Sequence, residues 1–105
     1  MKEVLIVDTK DANRLAHIVG ELFGCWSQIA NSFESAESYF DQKFDVALIG
    51  EMDGRYGEIY SRVDADRKIV YTTNEALIKR CRREGIAAIK NTGHEESDLA
   101  GVLKE

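Results

Sequence analysis

The chain has 105 residues, 44% hydrophobic and 31% charged, the balance of one globular domain over residues 1–105 rather than of a disordered or fibrous protein. Its 19 acidic and 14 basic residues leave a net charge of −5, which argues against general nucleic-acid binding. No apolar run approaches the roughly 20 residues of a membrane span, and Met1-Lys2-Glu3-Val4 is too short in its apolar part for a signal peptide.

The first apolar run, Val4-Leu5-Ile6-Val7, is continuous and β-branched, the pattern of a strand buried on both faces of a helix-covered parallel sheet. Asp8 follows it. From Asp11 to Phe23, the residues Ala12, Leu15, Ile18, Val19 and Leu22 recur at three- and four-residue spacing and predict an amphipathic helix. The more polar run Trp26-Ser27-Gln28-Ile29-Ala30 suits an edge strand. Trp26 and Phe23, which flank Gly24-Cys25, are expected to pack on the core. Ser35 to Gln42 predicts a short helix carrying Ala36, Tyr39 and Phe40.

The third strand, Val46-Ala47-Leu48-Ile49, ends on Gly50. Gly50, Gly54 and Gly57 make the stretch up to Val63 the least regular part of the chain, with a short helix and with Tyr56 and Tyr60 expected at the surface. Ile69-Val70-Tyr71 forms the fourth strand, closed by Thr72. Glu75 to Glu84 predicts a helix with Leu77, Ile78 and Cys81 inward and Lys79, Arg80, Arg82 and Arg83 outward, stopped by Gly85. Ile86-Ala87-Ala88-Ile89 is the fifth strand. Thr92-Gly93-His94-Glu95 then reads as a capping box, opening a last helix that buries Leu99, Val102 and Leu103. Strand and helix alternating in this way predict an α/β sandwich with right-handed crossovers.

These elements resemble the receiver domain family of response regulators, and the resemblance covers essentially the whole chain. An apolar strand ends in Asp8 where the family has a pair of acids. The third strand is Asp45-Val46-Ala47-Leu48-Ile49, the fourth ends in the hydroxyl residue Thr72, and Arg83-Glu84-Gly85-Ile86-Ala87-Ala88 resembles the family's exit from the fourth helix. The resemblance implies a CheY-like, flavodoxin-like α/β fold with a five-stranded parallel sheet in the order 2-1-3-4-5.

It also implies a site, and here the chain departs from the pattern. Receiver chemistry needs Mg²⁺ held by carboxylates, an aspartate nucleophile, a hydroxyl and a lysine. Asp8 is kept from the acidic pair, but Thr9 stands in the second position and Gly50 in that of the phosphoacceptor. Thr72 keeps the hydroxyl. Counted without gaps from Gly85, the lysine position falls on Thr92; Lys90 lies two residues earlier, on the same strand face but displaced by roughly 6–7 Å. The aromatic reporter of the family becomes Ile89.

The reading is a pseudo-receiver, a protein–protein interaction module of bacterial two-component signalling that works without aspartyl phosphate, enzymatic activity or a required cofactor. Two alternatives stand beside it. Glu51 or Asp53 could accept phosphate with Asp8 and Mg²⁺, these three acids forming at most a weak metal site, or the glycine-rich edge from Gly50 to Gly57 could sense a small molecule. In the family, the surface of the fourth helix, fifth strand and fifth helix serves dimers and partners. That places a partner, or a second copy in a homodimer, against Lys79, Arg80, Arg82 and Arg83, with Tyr56 and Tyr60 as the other candidate anchors. No membrane partner is expected, and without interleaved aromatics nucleic acid takes little of this expectation. His17 and His94 are expected as surface residues. Cys25 and Cys81, with no CxxC spacing, are expected to be reduced thiols in a cytoplasmic protein.

Overall fold

Residues 2–104 are described by the computed structural model, and strand and helix alternate along them. The order is β1 (Glu3–Val7), α1 (Ala12–Phe23), β2 (Trp26–Ala30), α2 (Phe33–Glu37), β3 (Lys43–Ile49), α3 (Tyr56–Arg62), β4 (Asp64–Thr72), α4 (Glu75–Arg83), β5 (Ala88–Lys90) and α5 (Glu95–Leu103). A single 3-10 turn, Met52–Gly54, separates β3 from α3. The five strands are all parallel and lie in the order β2-β1-β3-β4-β5, a flavodoxin-like arrangement. Among the described residues, no helix is long and apolar enough to cross a membrane.

The continuous apolar runs are explained by burial on both faces. Val4, Leu5, Ile6 and Val7 are all fully enclosed, with Leu5 and Val7 on one side of the sheet and Val4 and Ile6 on the other. Leu5, Val7, Ala47 and Ile49 pack under α2, α3 and α4 through Ala36, Ile59, Leu77 and Cys81. Val4, Ile6, Val46 and Leu48 pack under α1 and α5 through Leu15, Val19, Leu99 and Val102. Each large side chain of this kind contributes roughly 1.5–3 kcal/mol on leaving water.

Several boundaries differ from the sequence reading, each for a local reason. In α1 the inward stripe runs Ala12, Leu15, Val19 and then to the partly buried Phe23, so Leu22 turns out and is 46% exposed. The second helix starts at Phe33 rather than Ser35, because the Ser32 hydroxyl accepts from the Ser35 amide at 3.0 Å and caps it there. It ends at Glu37, with the Ser38 hydroxyl bonded back to the Ser35 carbonyl at 2.6 Å. Tyr39 and Phe40 follow it as turn residues that still pack on the core. Strand β5 begins later than expected, because Ile86 and Ala87 lie in the turn that follows α4. The Ile86 amide reaches back to the Cys81 carbonyl at 2.8 Å while Gly85 takes φ +76°, the left-handed closure of a helix end.

Two further expectations are corrected. Trp26 does not pack on the core; it is 68% exposed on the edge strand. The capping box does not form. The residue before α5 is His94, which makes no side-chain cap, and Glu95 is buried and accepts from Arg14 Nη1 at 2.6 Å, joining α5 to α1. That bond, with burial opposing it and the charges of Glu95 and Asp11 adding to it, holds the Arg14 guanidinium above its ordinary range. His17 and His94 are exposed, and Cys25 and Cys81 are buried free thiols.

Candidate functional site

Strand order reverses between β1 and β3, and in open parallel sheets the crevice beyond such a reversal is where ligands and chemistry gather. Here it is a pocket of about 450 Å³, lined among others by Asp8, Gly50, Glu51, Thr72, Asn74 and Arg80.

Asp8 follows β1, and its amide donates to the Ala30 carbonyl at 3.0 Å, which extends the pairing of β1 with β2. Its Oδ1 accepts from the amides of Lys10 at 2.9 Å and Asp11 at 3.0 Å, an Asx-type turn that leads into α1. Asp11, the residue before α1, makes no side-chain cap, and the amides that Asp8 receives both precede the helix. Oδ2 points the other way, toward β3.

Gly50 lies in its path. The Gly50 amide donates to the Val7 carbonyl at 2.7 Å, carrying the pairing of β1 with β3 one residue further. A Cβ built on Gly50 would stand 2.6 Å from Asp8 Oδ2 and 3.1 Å from its Cγ. Gly50 does not have the positive φ found at Gly24, Gly54, Gly85 and Gly93, so space rather than backbone conformation calls for glycine here. The Asp8 carboxylate takes the volume that a side chain at position 50 would enter.

The next residues are held just as closely. Glu51 accepts from Asn74 Nδ2 at 2.7 Å. Asn74 also caps α4 by accepting from the Leu77 amide at 3.1 Å, and its own amide donates to the Thr72 hydroxyl at 3.1 Å. Met52 and Asp53 adopt left-handed φ values of 52° and 54°, which costs non-glycine residues roughly 1–2 kcal/mol each. Burial of Met52 in the core anchors that turn. Among the described residues, no three or more His, Cys, Asp or Glu side chains are gathered so that they could hold a metal ion. Asp8, Glu51 and Asp53 line the same pocket.

Lys90, not Thr92, closes the fifth strand, in register with Thr72. Its Nζ pairs with Glu75, outside the pocket, and this contact holds the Glu75 carboxyl below its usual range. Thr92 is turned away altogether: its amide and hydroxyl donate to the two oxygens of Asp98, at 2.9 and 2.7 Å. Thr9 lines the pocket rim and Ile89 is half-buried on β5.

The basic stripe is divided. Arg80 lines the site, while Lys79 and Arg82 face a second hollow of about 270 Å³ with Ile78 and Lys90; Arg83 is exposed. Neither tyrosine is an exposed anchor. Tyr56 is 5% exposed and donates to Glu84 at 3.3 Å; burial pushes its phenol up, with Arg80 opposing and Glu84 adding to the shift. Tyr60 is half-buried, accepts from the Ala87 amide at 3.4 Å and lies under the Lys68 ammonium. Arg80 was expected on the outward partner surface, and its place one turn beyond the inward-facing Leu77 is the local sign that it reaches the pocket instead.

No protein-family model matches this chain, and no curated protein matches it.

Proposed function

We propose that the chain is a receiver-like scaffold that acts as a protein-interaction module without aspartyl phosphorylation. One observation carries this reading: β3 ends at Ile49 and the next position, where an acceptor would stand, is Gly50, with Asp8 Oδ2 2.6 Å from the place of a Cβ there. An aspartyl phosphate forms only when a carboxylate meets the phosphoryl group in line, with cations neutralising its oxygens. Gly50 offers no carboxylate and Lys90 is turned to Glu75. Glu51 is engaged by Asn74. The partner surface in this reading is the outer face of α4 with β5, where Lys79 and Arg82 present cations beside the Lys90–Glu75 pair. An acidic signalling partner suits it.

The test is incubation with acetyl phosphate and Mg²⁺ followed by intact mass. The expected spectrum has no added phosphate; a hydroxylamine-labile adduct on Asp8, Glu51 or Asp53 overturns the reading. A second reading, a small-molecule sensor, draws on the size of the pocket at the sheet edge. A thermal-shift panel of nucleotides and anions tests it, with a raised midpoint as the supporting result.

A further inference from the structure

The hollow of about 270 Å³ between α4 and β5 is lined by Glu75, Ile78, Lys79, Arg82 and Lys90. Ile78 is buried, at 5% exposure, so the accessible groups there are the charged ones. Lys79 and Arg82 are exposed and lie three residues apart on α4, which puts them on one side of the helix. Lys90 reaches the same hollow from the end of β5.

Lys90 is not free within that group. Its Nζ donates to Glu75 Oε1, and the hydrogen bond and charge of Lys90, then the charge of Lys79, hold the Glu75 carboxyl below its ordinary value. Both partners nevertheless remain in water, Glu75 at 68% exposure and Lys90 at 49%. An ion pair so exposed is weakly held. Glu75 also lies in the first turn of α4, where the helix dipole favours a carboxylate whether or not a cation faces it. Separating the two therefore costs little.

We propose that Glu75 is a built-in competitor at this surface, occupying Lys90 until a carboxylate of an acidic peptide displaces it. The proposal rests on the interaction-module reading and adds to it the regulation of the docking surface. Glu75 stands where the peptide's own carboxylate would bind, so it lowers the affinity of the surface for acidic segments.

Charge selects the occupant. Three cations against one carboxylate leave two positive charges in excess at the hollow, on a chain that carries −5 overall. A peptide with neighbouring acids answers Lys79 and Arg82 and offers a further carboxylate to Lys90. That last step exchanges one carboxylate for another, so the pairing of Lys90 is conserved while the two pairs on α4 are new. Glu75 turns to solvent. A neutral or basic segment has nothing to offer Lys90 in exchange and leaves the Glu75 contact in place.

Titration of the full chain with polyglutamate at low salt, followed by NMR, tests the proposal. Glu75→Gln should bind about two- to fivefold more tightly than the wild type, the range an exposed ion pair accounts for. Glu96→Gln, which removes one charge from the first turn of α5, measures the gain due to net charge alone. In a Lys90→Gln background the gain from Glu75→Gln should shrink to that of Glu96→Gln, because no ammonium is left to compete for. Equal affinity of Glu75→Gln and the wild type overturns the proposal, as does a gain that survives in full without Lys90. In both cases the docking surface itself stands if polyglutamate still shifts the amides of α4 and β5. No shift of those amides in the wild type overturns both readings. Should a variant fail to fold, the wild type decides: the Lys90 and Glu75 side-chain resonances must move with the α4 amides, and their staying fixed overturns the proposal.

Discussion

The phenol of Tyr71, near the end of β4, donates to Oδ2 of Asp98 in α5 at 2.7 Å. The same carboxylate receives the amide and hydroxyl of Thr92, so one side chain ties a strand, a loop and a helix together. Tyr71→Phe removes one of these bonds and should cost about 0.5–1.5 kcal/mol. Asp98→Ala strands the buried phenol and should cost more, about 1–3 kcal/mol. Urea unfolding of both variants checks the order.

The same carboxylate sets an acid limit. Burial alone would raise Asp98, but the hydrogen bonds from Thr92 and Tyr71 outweigh it and hold the group below its ordinary value. A depressed folded value means that the stabilisation is complete above the unfolded value, about 3.9 for Asp. It is lost as pH falls through the folded value. Urea midpoints measured from neutral down to about pH 3 should decline at the acid end, and Asp98→Asn should flatten that decline. An equal slope in the variant would assign acid sensitivity to other groups.

Position 50 should be sensitive to a single methyl group. Gly50→Ala brings a carbon into the space of Asp8 Oδ2 and should destabilise by about 1–3 kcal/mol through overpacking. In an Asp8→Ala background that cost should shrink, giving a coupling of about 0.5 kcal/mol or more in a double-mutant cycle. Additive effects would mean that Asp8 swings aside freely.

Reversing charge on the outer face of α4 should leave the fold intact. Lys79→Glu/Arg82→Glu touches exposed side chains whose pairings are worth no more than about 1 kcal/mol, so denaturation midpoints should barely move. Titration with polyglutamate, followed by NMR, should shift the amides of α4 and β5 in the wild type, weaken with added salt and vanish in the double variant. Shifts that persist in the variant place the acidic contact elsewhere.

The sheet was legible because burial on both faces leaves a continuous apolar signature at Val4–Val7 and Val46–Ile49, and their order follows from the resemblance. Gly50 was legible as the residue that follows the third strand. Its close contact with Asp8 was not, since no local pattern reports how two parallel strands bring those residues together. Thr92 and Glu95 were misread because other partners, Asp98 six residues on in α5 and the distant Arg14, claimed groups that local spacing assigns to a cap. Tyr56 and Trp26 were misplaced for a related reason. Glycine neighbours suggest exposure for the first and hydrophobicity suggests burial for the second, yet α3 turns Tyr56 under Glu84 and the edge position leaves Trp26 in solvent.

The shared space of Asp8 and Gly50 also limits how this sequence can vary. The two positions lie 42 residues apart, yet they behave as one locus, with room for a carboxylate from the first strand or a side chain from the third, and not for both in their present geometry. A single replacement at position 50 meets an occupied volume, and a single replacement at position 8 empties it and frees the amides of Lys10 and Asp11. Among descendants of this chain a side chain gained at 50 should come with a change in how the acid at 8 is held, either a carboxylate turned away from Lys10 and Asp11 or a shorter residue.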